Sequence, residues 1–227
     1  MSPRRFPPSL KLGSMARNPD ATIQDLLDAA ARLFVARSYD DIKLTDIAQS
    51  CGVTKGAIYH HFDSKEDVFL SMMERKLAAL GEVLRPALDY PGNTRERLNR
   101  LTFLYLSQPM TDQRVMQLVR RDAQRFHGET RTRLIRWYQA ALPNQIEAII
   151  RAGMLQGEII DGDATLLARL YTAHVEVYLA DYARAHFGDA AQMAWYVTDI
   201  FLKGAAVRDC TDCATAQMPS KATLKPT

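Results

Sequence analysis

Apolar residues recur at helical spacing along most of the chain. Between Ile23 and Phe34 they fall at i, i+3, i+4, i+7, i+10 and i+11, which places them on one face of a helix. No stretch alternates apolar and polar residues with a period of two for long enough to indicate a strand. The pattern therefore predicts an all-α protein.

Two short helices are expected after the first one. They run from Leu44 to Cys51 and from about Lys55 to His61, with a turn at Gly52 between them. Two helices of about two turns joined by a glycine-containing turn form a helix-turn-helix unit. The apolar residues that would attach this unit to the first helix are Ile47, Ala48, Val53, Ile58 and Phe62.

The rest of the chain is predicted to be helical as well. Ser64 is expected to cap a long helix that ends near Leu84, with Asp67 at the capping-box position. Pro143 should bend or interrupt the later helix that is expected from Glu129 to Ala152. Those later helices are expected at Thr94 to Leu106, Gln113 to His127, Glu129 to Ala152, Asp163 to Phe187, and Asp189 to about Val207. The resulting domains are a disordered basic leader (1–19), a three-helix domain (20–66), a larger helical domain (67–207) and a disordered tail (208–227).

Composition narrows the class of protein. Of 227 residues, 47% are hydrophobic and 24% charged, which suits a soluble protein with a small domain joined to a larger one. No apolar run approaches the roughly 20 residues that cross a bilayer, and the N-terminus lacks the apolar stretch of a signal peptide. We therefore expect a cytoplasmic protein without a membrane partner. The basic leader is either a solvated segment or an arm that follows DNA phosphates.

The stretch AARLFVARSYDDIKLTDIAQSCGVTKGAIYHHFDSKEDVF resembles the DNA-binding domain of the TetR family of bacterial transcription regulators. Several residues recur in the family's order: Leu33, Phe34, Tyr39, Asp46, Ile47, Ala48, Gly52, Val53, Lys55, Gly56, Tyr59, His60, His61, Phe62, Ser64, Lys65, Glu66 and Phe69. The resemblance implies a helix-turn-helix domain followed by an all-helical effector-binding and dimerisation domain. It also implies a repressor that a small-molecule effector releases from double-stranded operator DNA.

The residues expected at the DNA lie on the second and third helices. Thr54 can cap the third, or recognition, helix and turn its hydroxyl towards a phosphate, while the small Gly56 and Ala57 allow close approach to the major groove. The alternative for Tyr59 is a packing role, and His61 is expected in the core. The predicted DNA-binding residues are Lys43, Thr45, Thr54, Lys55, Gly56, Ala57, Tyr59, His60 and Lys65.

Two positions depart from the family. Ser38 stands in a tight turn where the family usually has glycine, and a left-handed backbone there would strain serine by about 1 kcal/mol. Lys43 stands where Ser or Thr usually caps the second helix, so the side-chain capping bond is expected to be missing. The lysine ammonium can still reach the same phosphate as a point charge.

Two apolar stripes near the C-terminus suggest a dimer interface. In the family the corresponding helices pack against their copies, so the resemblance implies a two-fold homodimer, which charged substitutions at Val197 and Phe201 should dissociate. A short recognition helix alone also reads too few base pairs to be selective. The alternative is that both stripes are core. They contain Leu166, Leu167, Leu170, His174, Val177 and Tyr178, then Met193, Tyr196, Val197, Ile200, Phe201 and Gly204.

An effector pocket is implied by the family alone. Aromatic and flexible side chains suit a partly apolar ligand, although such residues at helical spacing also form plain core. The candidates are Phe103, Tyr105, Met116, Trp137, Tyr138, Tyr171, His174 and Tyr178. Seven arginines on two adjacent helices are either a solvated face or a site for an anionic ligand: Arg114, Arg120, Arg121, Arg125, Arg131, Arg133 and Arg136.

Other classes of protein fit the sequence less well. The chain has no phosphate-binding glycine loop, HExxH motif or nucleophile elbow, so neither catalysis nor a cofactor or metal is expected. Cys210 and Cys213 have CxxC spacing, the basis of an alternative redox- or metal-responsive regulator. A helical protein-interaction module that binds no DNA would leave Lys55, Gly56 and Tyr59 unexplained.

Overall fold

The computed structural model describes residues 23–205. Its α-helices are α1 (Ile23–Ala36), α2 (Leu44–Ser50), α3 (Lys55–His61), α4 (Lys65–Leu84), α5 (Thr94–Leu106), α6 (Met110–Asp122), α7 (Gly128–Ala141), α8 (Pro143–Leu155), α9 (Ala164–Val177), α10 (Asp181–Phe187) and α11 (Ala190–Ala205). Short 3-10 turns lie at Tyr39–Asp41, Arg85–Ala87 and Ala123–Arg125. The predicted all-α class is confirmed. None of the described helices is long and apolar enough to cross a membrane.

The described helices fall into two compact units. The first unit contains the described residues up to Val83 together with Ser107–Leu142, and the second contains Leu84–Leu106 and the described residues from Pro143 onward. Helices α6 and α7 thus group with the three N-terminal helices and α4. The predicted leader (1–19) and tail (208–227), including Cys210 and Cys213, lie outside the described residues.

In the first unit, α2 packs against both α1 and α3. Ile47, Ala48, Ile58 and Phe62 are buried as predicted, and Val53 is half-buried. An aromatic cluster extends this core towards α4 and the 3-10 turn after α6. It consists of Phe34, Tyr39, Phe69 and Phe126, with ring centroids 5.0 to 5.7 Å apart along the contacting pairs.

Side chains cap the starts of α3 and α4. The Ala57 amide donates to Thr54 Oγ1 over 3.2 Å, which confirms the cap predicted for the recognition helix. At α4 the Asp67 amide donates to Ser64 Oγ over 3.0 Å. The Asp67 carboxylate accepts from the amide of Asp63 rather than of Ser64, so the predicted capping box closes one residue earlier.

Both departures from the family turn out to be mild. Ser38 has φ −63° and ψ 148°, an ordinary extended conformation, so the predicted strain at this residue is absent. Lys43 makes no side-chain capping bond, as expected. The Asp46 carboxylate nevertheless accepts from the Lys43 amide over 2.9 Å, so half of a capping box still holds the start of α2.

Two predicted long helices are each divided in the structure. Pro143 separates α7 from α8, as its missing amide and fixed φ require. The helix expected from Asp163 to Phe187 ends at Val177 and resumes at Asp181, because Ala180 takes an extended conformation with φ −69° and ψ 145°. The interruption turns Leu179 into the core. No glycine or proline marks this break in the sequence.

The second unit is organised around a buried polar network. Helix α5 lies against α11, and α8 lies against α9. The Tyr171 hydroxyl is 2.6 Å from Thr102 Oγ1 and 2.8 Å from Thr198 Oγ1, and it donates to the Leu98 carbonyl at 3.3 Å. All three side chains are buried. The network therefore fixes how α9 sits against α5 and α11.

We expect Tyr171→Phe to destabilise the protein by about 1 to 3 kcal/mol at neutral pH, because the two buried threonine hydroxyls lose a partner. Burial raises the Tyr171 pKa to about 12, although hydrogen bonds from Thr102 and Thr198 oppose the shift. The folded state favours the neutral phenol. Its contribution is therefore complete below the unfolded pKa of about 10 and is lost as pH rises towards 12, by up to about 3 kcal/mol.

Urea unfolding at pH 7 and at pH 11 measures both effects. Tyr171→Phe should be less stable than the wild type at pH 7 and should lose less stability between the two pH values. The control is Tyr182→Phe, since this tyrosine is 80% exposed and its change should alter neither quantity. Equal stability of Tyr171→Phe and the wild type at pH 7 would contradict the role of the network.

Candidate nucleic-acid interface

The outer face of the helix-turn-helix unit carries the predicted DNA-binding residues. Lys43, Thr45, Thr54, Lys55, Gly56, Tyr59 and His60 are exposed, and Ala57 and Lys65 are half-buried. Helix α3 is anchored from its other side by the buried Ile58 and by Phe62, which follows its last turn. An exposed, anchored and capped helix of this kind can approach a nucleic acid along its whole length.

The first turn of α3 contains two small residues, Gly56 and Ala57. A Cβ built on Gly56 would meet only Thr54 Oγ1, at 3.8 Å, so this position borders open space. One turn farther along, the Lys55 ammonium lies 5.5 Å from the centre of the Tyr59 ring. This contact holds a cation and an aromatic side chain together on the exposed face.

His61 is exposed, which corrects the prediction of a core histidine. The next residue, Phe62, is buried one turn after Ile58. His61 therefore points to the exposed side of the chain at the end of α3. The His60 and His61 rings are 5.2 Å apart. The exposed end of α3 therefore offers two imidazoles, of which sequence reasoning identified one.

Lys65 makes contacts within the protein that the sequence did not reveal. Its ammonium donates to the Tyr39 carbonyl over 2.7 Å and lies 4.2 Å from the centre of the Tyr39 ring. Burial, with the nearby Glu66 and Asp40 carboxylates, raises the Tyr39 pKa to about 12. Lys65 thus ties the start of α4 to the turn after α1. An ammonium has three donors, so a phosphate contact by Lys65 stays a prediction.

Charged side chains of α6 join this helix to the end of α1. Arg121 donates to the Phe34 carbonyl over 2.7 Å and to the Arg37 carbonyl over 3.1 Å. Phe34 lies in the last turn of α1 and Arg37 directly follows the helix, at the end where a helix leaves acceptors unsatisfied. The fully buried Asp122 accepts from Arg121 at 2.7 Å and from Arg125 at 3.3 Å, and Arg125 also pairs with Asp40. These two arginines thus have structural partners.

A second ionic bridge links α4 to both α1 and α6. The Lys76 ammonium lies 2.8 Å from the Asp28 carboxylate and 2.9 Å from the Asp112 carboxylate. Burial acts to lower the Lys76 pKa, but the two hydrogen-bonded carboxylates outweigh it and raise the pKa. Helix α1 is therefore joined to α4 and α6 through defined ion pairs.

The eight predicted effector residues are divided between the two units. Met116, Trp137 and Tyr138 belong to the first unit and the other five to the second. Tyr105 is buried, Tyr171 holds the polar network, and Tyr178 packs on Phe187 with ring centroids 5.3 Å apart. His174 is exposed on α9. Phe103 lines a cavity between α5 and α11. A common pocket for these residues stays a prediction.

The two C-terminal stripes combine core residues with exposed ones. Val197 and Phe201 are buried within the second unit, so they are core and were wrongly chosen as interface positions. The exposed members form what we call the apolar face: Leu166, Leu170 and Val177 on α9 with Tyr196 and Ile200 on α11. These side chains leave an apolar surface on two neighbouring helices.

The geometry defines a helix-turn-helix protein with an all-helical remainder. Residues 26–72 match the family model described as bacterial regulatory proteins, tetR family. The chain is 35% identical over 94 residues to the HTH-type transcriptional regulator AcrR of Shigella flexneri, which covers 41% of this chain and 44% of AcrR. The chain thus aligns with less than half the length of the first curated relatives.

Solved structures resemble the chain over a larger part of its length. FadR from Bacillus subtilis in complex with stearoyl-CoA has a TM-score of 0.67 at 19% identity, covering 81% of this chain and 99% of FadR. A putative transcriptional regulator from Saccharomonospora viridis in complex with choline has a TM-score of 0.66 at 25% identity, covering 82% and 98%. Residues 26–72 therefore resemble the tetR family of bacterial regulatory proteins, and the fold of the chain is similar to that of these solved regulators.

Proposed function

We propose that the protein is a homodimeric TetR-type transcription regulator that binds operator DNA through α3. The observation that carries this proposal is the exposed face of α3, which presents Lys55, Tyr59 and His60 while Ile58 anchors the opposite side. Side chains of this kind suit contacts to phosphates and base edges in the major groove. Such a role belongs in the cytoplasm of a bacterial cell, where the chromosome lies.

The start of α3 suits a phosphate contact. Its first turn has free amide donors and a favourable helix dipole, and the Thr54 hydroxyl that caps it is exposed. Lys43 is exposed at the start of α2 and can add a point charge. Such contacts orient a protein on the duplex, while side chains farther along α3 read the bases.

A dimer would supply the second half of the recognition surface. One short helix reads too few base pairs for selectivity, and two-fold dimers place recognition helices about 34 to 36 Å apart, one turn of DNA. The apolar face on α9 and α11 is a suitable surface for a second copy, since large exposed apolar patches mark interaction sites.

The regulator is proposed to act as a repressor that a small-molecule effector releases. The solved relatives with ligands hold stearoyl-CoA in one case and choline in another. Ligands this different share one fold, so the fold does not identify the effector here. An effector that weakens DNA binding must itself bind more weakly to the DNA-bound protein, by the same factor.

Genomic fragments selected by the purified protein would supply the operator for a test of α3. We expect His60→Ala to change the preference among single-base operator variants, with a loss of about 1 to 3 kcal/mol at the affected base pair. Lys43→Ala should instead weaken all duplexes alike and lower the slope of log affinity against log salt by about one per protomer. Fluorescence anisotropy at several salt concentrations measures both.

Two further variants complete this experiment. Arg131→Ala removes an exposed charge from α7 and should leave operator preference unchanged. Lys65→Ala should weaken DNA binding uniformly and also lower stability, because its ammonium holds the Tyr39 carbonyl. If His60→Ala and Lys43→Ala both bind every duplex as the wild type does, α3 does not enter the groove and the proposed function is wrong.

A further inference from the structure

A cavity of about 440 Å³ lies between α5 and α11 in the second unit. This volume falls within the range of roughly 300 to 1,000 Å³ that is usual for sites of drug-sized ligands. The residues that determine its chemistry are Arg95, Asn99, Arg100 and Phe103 from α5 and Trp195 and Thr198 from α11. The cavity thus combines cationic, hydrogen-bonding and aromatic groups on two packed helices.

Most charged side chains at this cavity already have partners within the protein. Arg95 donates to the Asp199 carboxylate over 3.1 Å, and Lys203 contacts the same carboxylate at 2.6 Å. The Glu96 carboxylate accepts from the Asn93 amide over 2.8 Å and so closes the capping box at the start of α5. These acidic side chains therefore have partners at the edge of the cavity.

Arg100 is the exception. Arg100 is exposed, its guanidinium lies 6.0 Å from the centre of the Phe103 ring, and no carboxylate or carbonyl among the described residues accepts a hydrogen bond from it. A guanidinium carries five donors in a planar fork that matches a carboxylate. An anion in the cavity would provide the acceptor that the described part of the chain does not.

Aromatic side chains form the apolar part of the cavity. Trp195 is 57% exposed although its indole is among the largest apolar groups on α11, and Phe103 is half-buried opposite it. Trp195 lies about 100° around the helix from Tyr196, because successive helical residues differ by that angle. The cavity is therefore centred on a neighbouring side of α11, and Trp195 also borders a second groove with Tyr196 of the apolar face.

We propose that the cavity between α5 and α11 binds an aromatic organic anion of drug size. Its carboxylate accepts hydrogen bonds from Arg100, and its ring lies against Trp195 and Phe103. Of the eight residues predicted to bind an effector, only Phe103 lines this cavity. Ligand binding in this cavity does not depend on DNA binding through α3. An experiment that disproves one of these two proposals therefore leaves the other unaffected.

Fluorescence of Trp195 tests the proposal with 4-nitrobenzoate as the probe and 4-nitrobenzamide as its neutral counterpart. The chain has two tryptophans, so Trp137→Phe leaves Trp195 as the sole indole. In this background we expect saturable quenching of Trp195 by 4-nitrobenzoate, which should bind at least about tenfold more tightly than the amide through its charge-assisted hydrogen bonds. Free N-acetyltryptophanamide corrects for collisional quenching.

Arg100→Gln should remove the preference for the anion, leaving both probes with the weaker affinity. Arg169→Gln is the matched control, because this exposed arginine on α9 does not line the cavity and its loss should leave the tenfold preference intact. Circular dichroism verifies that each variant is folded. Quenching no stronger than that of free N-acetyltryptophanamide, or an unchanged preference in Arg100→Gln, would overturn the proposal.

Discussion

Replacing Leu170 with aspartate is expected to convert the proposed dimer into monomers and to lower affinity for a two-half-site operator by about a hundredfold or more. Leu170 is 50% exposed within the apolar face. A two-fold interface contains each residue twice, so one substitution would place two carboxylates in an apolar contact. Light scattering at micromolar concentration gives the oligomeric state, and anisotropy with operator DNA gives the affinity.

Leu155→Asp is the matched control for this experiment. Leu155 ends α8, is 90% exposed and lies outside the apolar face, so its aspartate variant should remain dimeric and bind DNA normally. Val197→Asp should behave differently again, because Val197 is only 1% exposed and a buried carboxylate would unfold the second unit. A wild-type protein that is monomeric at micromolar concentration would rule out the dimer.

This contrast shows what helical periodicity can and cannot predict. The spacing of apolar residues correctly placed α11 and the start of α9, although it predicted α9 and α10 as one helix. Periodicity does not reveal whether an apolar position faces the chain's own core or a second copy, since both surfaces exclude water. Val197 and Leu170 therefore looked equivalent in the sequence, and only the packing of α11 against α5 separated them.

The helix-turn-helix was predictable because its signals are local. The cap at Thr54, the turn at Gly52 and the apolar anchors of α3 lie within a few residues of one another. His61 was misassigned because it ends α3, where the path of the following chain, rather than the helix itself, decides that this side chain is exposed while Phe62 is buried. The break after Val177 was missed for a similar reason, since burial of Leu179 is a tertiary effect.

The ionic junction between α6 and α1 was beyond sequence reasoning altogether. Arg121 and Asp122 are adjacent in the chain, and the sequence suggested only a solvated or anion-binding face. What makes them structural is the approach of α1, whose final carbonyls are more than 80 positions away along the chain. Long-range contacts of this kind leave no periodic signal in the sequence.

Asp122→Asn is expected to reduce the free energy of unfolding by about 2 to 4 kcal/mol, because it removes a fully buried charge that forms ion pairs with Arg121 and Arg125. The lower part of the range allows for solvent screening of the partly exposed guanidinium groups. Without the carboxylate, Arg121 is held less firmly against the Phe34 and Arg37 carbonyls at the end of α1. Thermal unfolding should show a fall in Tm of about 5 to 15 °C for a chain of this size.

Two variants separate the buried ion pair from a general effect of charge. Asp161→Asn removes an exposed carboxylate from the loop before α9 and should leave Tm unchanged. Arg121→Lys keeps the positive charge but lacks the planar fork that bonds Asp122 and two carbonyls together, so its Tm should lie between those of the wild type and Asp122→Asn. If Asp122→Asn has the same Tm as the wild type, the ionic junction between α6 and α1 contributes no stability. If Arg121→Lys also matches the wild type, the planar fork is not needed to hold α6 against α1.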